Sequence, residues 1–334
     1  MSDDQKNANV SQDSLKQSSA KKTNHANHGE QEIFVPNNVS VSSGAGQMLR
    51  AMTQDGAARI FVLNATPIVQ KAIQIHHTAP TASAALGRVL TAASMMGTML
   101  KERGNTVTLR FAGDGPLGTV LAVADDLGNV KGSVTHPEVN LPPRSDGKLD
   151  VGRAVGHGTL SVIKDLGLKE PWTGSIEIQS GEIAQDITHY FVYSEQTPTL
   201  CALGVLVGPN GDCLGAGGVI AQLLPYAPEE TAMALENNAP LLNDLSHLFA
   251  SGKSNEEILA LICNGIPYDP FDVLDVDYRC DCSKQRVENV LRGLGKVEID
   301  SILAERGAVE VQCRFCGKTY TFDRLECQKL FDIS

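Results

Sequence analysis

Two tight cysteine pairs, Cys280-Asp281-Cys282 and Cys313-Arg314-Phe315-Cys316, stand 30 residues apart and constrain the end of this chain more than any other feature. Two such pairs joined by a small helical and hairpin module suit a tetrahedral four-thiolate zinc site. Gly317, directly after the last cysteine, lets the backbone turn so that its amides can face the sulfurs. The pattern therefore predicts one Zn2+ per chain, held by Cys280, Cys282, Cys313 and Cys316. Structural zinc sites more often repeat Cys-x-x-Cys, so the Cys-x-Cys half is informative. Two cysteines that close, oxidised to each other, form a constrained ring, and strained disulfides are readily reduced. Thiolates are the oxidisable species, and a bound zinc ion keeps its sulfur ligands as thiolates at neutral pH. The site is thus suited to reversible oxidation. Arg279, Lys284, Arg286, Arg314 and Lys318 lie near it in sequence and moderate its negative charge.

Composition narrows the setting. Five of the eight cysteines fall in the last 55 of 334 residues, which in a cytoplasmic chain of this length points to metal or redox chemistry rather than a disulfide framework. A net charge of −11 argues against nucleic acid as a partner, because phosphate contacts need clustered Lys and Arg. No apolar run approaches the ~20 residues needed to span a membrane, and the polar N-terminus lacks a signal-type segment. Cys201, Cys213 and Cys263 sit in apolar surroundings and read as small core residues. Cys327, eleven residues after Cys316, is a lesser candidate for ligand exchange or a mixed disulfide.

Along the chain, residues 1–32 are too polar to offset their ordering entropy and read as a disordered tail, with His25 and His28 as solvated histidines. Residues 33–224 read as an α+β core. Its expected elements are a strand at Arg59–Asn64, a long helix from Thr81 to Arg103, a strand from Thr106 to Ala112 and a hairpin over Leu117–Val134 turning at Asp125–Asn129. Further strands are expected at His157–Ile163, Ser175–Gln179, Cys201–Gly208 and Leu214–Leu224, and Ala184–Tyr193 reads as a helix that then extends. Residues 225–275, broken by prolines and glycines, read as a linker of short helices with a capping box from Ser254 to Glu257. Helices that short depend on packing against something else. The last segment, 276–334, is the zinc module, with a helix over Ser283–Leu294, a shorter one at Ser301–Glu305, and strands flanking Cys313–Cys316. Zinc supplies folding free energy to a module this small. Its loss on oxidation is expected to unfold the module, loosen the linker and expose apolar surface that binds other apolar surfaces.

Taken together, the residues resemble a known family, the bacterial thirty-three-kilodalton heat shock proteins, which are redox-regulated chaperones. The resemblance rests on Arg279-Cys280-Asp281-Cys282-Ser283, on Cys313-Arg314-Phe315-Cys316 with Tyr320-Thr321-Phe322, and on the body motifs His76-His77, Ala85-Leu86-Gly87-Arg88-Val89-Leu90-Thr91-Ala92, Tyr193-Ser194-Glu195-Gln196-Thr197-Pro198, Ala216-Gly217-Gly218 and Gln222-Leu223-Leu224-Pro225. It covers about residues 33–330. The resemblance implies a reduced, zinc-bound, inactive monomer. It also implies that oxidation pairs Cys280 with Cys282 and Cys313 with Cys316, releases zinc, unfolds the linker and favours a homodimer. That form would hold unfolding client proteins without ATP, and the chain would not be an enzyme. In keeping with this, Ser251-Gly252-Lys253-Ser254 has the end of a phosphate loop, but His247 stands where its first glycine is needed.

Four other readings stand beside this one. A zinc ribbon binding nucleic acid is disfavoured by the acidic chain. A thiol oxidoreductase on Cys313–Cys316 expects a strand-to-helix turn, not a hairpin. A hydrolase using His76 or His77 lacks a motif-linked nucleophile, so these histidines read as structural. The last is a purely structural zinc with no redox role, which only oxidation experiments separate from the switch.

Overall fold

The computed structural model describes residues 44–331; the expected tail, with His25 and His28, lies outside them. Two five-stranded antiparallel sheets share one long buried helix. The elements in chain order are β1 (Gly46–Thr53), β2 (Ala58–Asn64), α1 (Thr66–His76), α2 (Pro80–Gly97), β3 (Thr106–Gly113), β4 (Thr119–Asp125), β5 (Val130–Val134), α3 (Val151–Val155), β6 (Gly158–Asp165), β7 (Trp172–Glu177), α4 (Ala184–Ser194), β8 (Thr199–Val207) and β9 (Cys213–Leu223). Next come α5 (Glu229–Asn238), a 3-10 turn at Ala239–Leu242, α6 (Leu245–Ala250), α7 (Asn255–Ile262) and β10 (Tyr268–Val276). The last group is α8 (Lys284–Leu294), α9 (Lys296–Arg306), β11 (Val309–Gln312), β12 (Thr319–Phe322) and α10 (Arg324–Phe331). The first sheet runs β10-β1-β2-β9-β8, the second β5-β4-β3-β6-β7.

Helix α2 packs on strands of both sheets. Sixteen of its 18 residues are buried, which its small side chains permit. At Gly87 a methyl group would meet Val205 Cγ2 and Val69 Cγ1 at 2.9 Å, so only glycine allows the approach. The helix stops at Gly97, short of the Arg103 expected from periodicity. Its end tightens into i→i+3 bonds, Met99 N to Met96 O and Leu100 N to Gly97 O, where the end of β4 crosses.

The first sheet is buried on both faces, with successive residues serving different cores. Met48, Phe61, Leu63 and Ile220 join the cluster around α2. Their neighbours Leu49, Ala51, Ile60, Val62, Val219 and Ala221 face a second cluster completed by Leu235, Leu242, Leu245, Phe249, Ile258, Leu259 and Ile262. The short helices α5–α7 therefore cover one face of this sheet over β1, β2, β9 and β8. Helix α7 carries the expected capping box, Ser254 with Glu257.

Three further expectations need correction. The stretch of short helices does not reach residue 275: residues 268–276 form β10, paired with β1. Pro270 is tolerated because β10 is an edge strand with a bulge there. Ala184–Ser194 is helical throughout. Helix α9, expected only at Ser301–Glu305, starts at Lys296.

Candidate metal centre

After β10 the chain leaves the first sheet and crosses to the edge of the second. Val130 N–H donates to Asp277 O, and Arg279 N–H donates to Val130 O, each at 2.9 Å. Tyr278 forms a parallel bridge with Val130 in β5. Cys280 and Cys282 follow, and Ser283 caps α8 by accepting from Arg286 N–H at 3.3 Å. The other half of the site comes from the β11–β12 hairpin. Its turn is closed by Gly317 N–H to Cys313 O and Cys313 N–H to Lys318 O, both 2.9 Å. Gly317 has φ +71°, the left-handed region that favours glycine. Behind the hairpin, Val287, Leu291, Ile299, Leu303, Phe322 and Leu330 form the module's own small core.

The four cysteine sulfurs all lie within 4.8 Å of one another. Two short separations run across the two halves: Cys280 Sγ to Cys313 Sγ is 3.7 Å and Cys282 Sγ to Cys316 Sγ is 3.4 Å. A tetrahedron with metal–sulfur bonds of about 2.3 Å has sulfur–sulfur edges of about 3.8 Å, so the set fits one four-coordinate ion. The amides of Cys282 and Lys318 act to lower the Cys280 and Cys316 thiols, against the upward push of burial. The Tyr320 hydroxyl donates to Cys282 Sγ at 3.2 Å.

Burial pushes the Cys280 thiol up to about 12. Burial pushes Cys282 the same way, yet hydrogen bonds from Tyr320 and the neighbouring thiols bring it down to about 7. Sulfurs this close resist ionising together, because each new thiolate repels the last. A cation among them removes that conflict.

The flanking charges have partners of their own. Burial works against the Asp281 carboxylate, but Lys131 of β5 and Arg286 hold it down at about 2. Lys284 pairs with Glu326, and Arg314 donates to Ser133 Oγ at 3.1 Å. Cys213, Cys263 and Cys327 are buried and Cys201 half-buried, all outside the four-sulfur group. Cys327 packs in the module's core.

His76 closes α1, and Cα of His77, at φ +51°, ends it in the left-handed region. His76 Nε2 lies 3.0 Å from the Tyr278 hydroxyl. Tyr278, Lys131 and Ser133 were not legible as site residues in the sequence. The one available signal was the place of Tyr278, two residues before the first cysteine.

A model described as Hsp33 protein matches residues 46–323 of this chain. The chain belongs to the Hsp33 family. It is 45% identical over 283 residues to a 33 kDa chaperonin of Desulforamulus reducens, covering 85% of this chain and 96% of that one. It is 44% identical over 286 residues to a 33 kDa chaperonin of Bacillus licheniformis, covering 85% of this chain and 98% of the relative. Its fold matches the crystal structure of the 33 kDa chaperonin, a heat shock protein 33 homologue, from Thermotoga maritima. There the TM-score is 0.80 at 32% identity, over 86% of this chain and 97% of that one. The expected α+β class and the family resemblance both hold. Hsp33 family membership makes this a chaperone-type chain, and its relatives carry chaperonin names rather than enzyme names. Among the described residues, no helix is long and apolar enough to cross a membrane.

Proposed function

We propose that this protein is a redox-regulated, ATP-independent holdase of the cytoplasm, with no enzymatic activity and no nucleic-acid or membrane partner. The carrying observation is the four-sulfur cluster that joins Cys280 and Cys282 to Cys313 and Cys316. Zn2+, one per chain, is the ion this all-sulfur, tetrahedral set suits best. Bound there, it holds the four sulfurs as thiolates and adds folding free energy to the module.

Three parts divide the work: a core over residues 33–224 whose first sheet is completed by β10, a cover made by α5–α7 within 225–275, and a switch over 276–334. In the reduced state the switch is folded and the cover lies on the sheet. Under peroxide, two thiolates and two protons combine with one hydrogen peroxide to give one disulfide and two waters. The partners are Cys280 with Cys282 and Cys313 with Cys316. Although sulfurs of opposite halves lie as little as 3.4 Å apart in the folded site, residues two or three apart stay together once the module opens. Cross-pairs must then close a loop of about thirty residues against chain entropy.

Loss of the ion unfolds the switch, and β10, which joins α7 to the switch, passes the change to the cover. Leu49, Ile60, Val62 and Val219 then become an apolar surface for unfolding client proteins, and the same exposure favours a homodimer. Zinc release measured together with disulfide mapping tests the pairing. Peroxide should release one zinc per chain and yield the two short-range disulfides; a Cys280–Cys313 or Cys282–Cys316 bridge as the main product would contradict it.

A further inference from the structure

The Tyr278 hydroxyl sits where three separate parts of the chain meet. The side chain is 2% exposed. Gly132 N–H of β5 donates to its oxygen at 3.3 Å, and His76 Nε2 of α1 lies 3.0 Å away. Two carbonyls face the same oxygen: Gly132 O at 2.9 Å, and Phe315 O, at the centre of the Cys313–Cys316 turn, in a short contact. A phenol has one proton to give and two lone pairs to receive with. The consistent assignment makes Gly132 N–H and His76 Nε2–H the donors. The single phenolic proton is then shared between Gly132 O of the core and Phe315 O of the metal-binding turn.

We propose that Tyr278 is the positioning residue that latches the metal module to the core, through one proton with two acceptors. While the module is docked, the proton holds Phe315 O. When the turn leaves, the proton rotates to Gly132 O, so no buried hydroxyl is stranded. Release therefore avoids the desolvation cost that normally locks a buried hydrogen bond in place. Neighbouring residues of β5 grip the same turn: Lys131 lies 5.6 Å from the Phe315 ring centroid, and Ser133 Oγ accepts from Arg314. Burial depresses the basicity of His76, which keeps it in the neutral form this assignment uses. The core edge is thus part of the switch, and module docking is separable from metal binding.

The inference rests on the switch reading given above, but its readout does not involve chaperone activity. Tyr278→Phe keeps the ring and removes the proton. In the reduced, zinc-loaded full chain, amide exchange is followed at Val130 and Arg279, which bond across the docking edge, and at Leu109 in the middle of β3. The expected result is unchanged zinc per chain, protection at Val130 and Arg279 lowered roughly tenfold, the scale of one hydrogen bond, and Leu109 unaffected. Unchanged protection at the edge overturns the proposal. So does an equal fall at Leu109, which means general destabilisation, and so does loss of zinc, which means the residue serves the metal site itself. If Tyr278→Phe does not fold, His76→Leu removes a donor to the same hydroxyl. It should lower edge protection alone, and no change there overturns the latch.

Discussion

The ring of Phe249, on α6, lies directly against the bare Cα of Gly217 in β9. A methyl group at residue 217 would stand 2.2 Å from Phe249 Cε2. Among the glycines of the sheet this is the tightest approach of the helical cover, and it makes Phe249 a residue whose loss should loosen the cover.

Phe249→Ala removes a ring that is 5% exposed, a change costing about 3–5 kcal/mol in a well-packed core. The cost falls on the cover rather than on the cluster around α2, because Phe249 belongs only to the second core. The reduced, zinc-loaded variant should suppress client aggregation without oxidant and bind a hydrophobic dye. Dye binding no greater than in the parent protein would show that the cover is not what hides the surface.

Cysteine replacements should separate into two groups. Cys313→Ser or Cys316→Ser removes one of four converging sulfurs and should lower zinc affinity and destabilise the module. Cys327→Ser sits in the module's core, away from the cluster, and should leave one zinc per chain while costing some stability. Tight stoichiometric zinc in both Cys313→Ser and Cys316→Ser would count against the four-sulfur assignment.

How much of this was readable beforehand depended on the range of the interaction. The zinc ligands are two local pairs whose spacing alone carries the chemistry, and the capping box of α7 is a three-residue signal. The Tyr278 node joins residues 76, 132 and 315, and nothing local in any of the three announces the others. Strand β10 was hidden by Pro270 and by Asp269, Asp272 and Asp275. Its place follows from a long-range partner: the Arg50 guanidinium pairs with Asp272, fixing the strand against β1. Helix α2 was legible because its alanines, leucines and methionines recur at helical spacing, but its end is set by a strand crossing that no local rule contains.

His76 gives the fold a pH dependence of known sign. Burial lowers its basicity, so the folded state favours the neutral ring. A depressed histidine contributes stability that is present above its unfolded value, about 6.5, and is lost as pH falls through the lower folded value. Thermal unfolding of the core should therefore move to lower temperature below about pH 6.5, and His76→Gln should flatten that slope. An identical slope in the variant would place the dependence elsewhere.

Oxidation should also open the cover to protease. Residues 225–275 contain α5–α7, three helices of ten residues or fewer, whose apolar sides are held only by packing. Limited proteolysis should cut there rapidly after peroxide treatment and slowly before it, while the α2 cluster survives both. Unchanged cleavage kinetics would remove the cover from the mechanism.

The most direct test of the whole account is light scattering from a heat-unfolding client protein, with this chain added either reduced and zinc-loaded or treated with peroxide at mild heat. The account predicts suppression by the oxidised form alone. Equal suppression by both forms, or by neither, would contradict it and leave the four cysteines as a structural metal site.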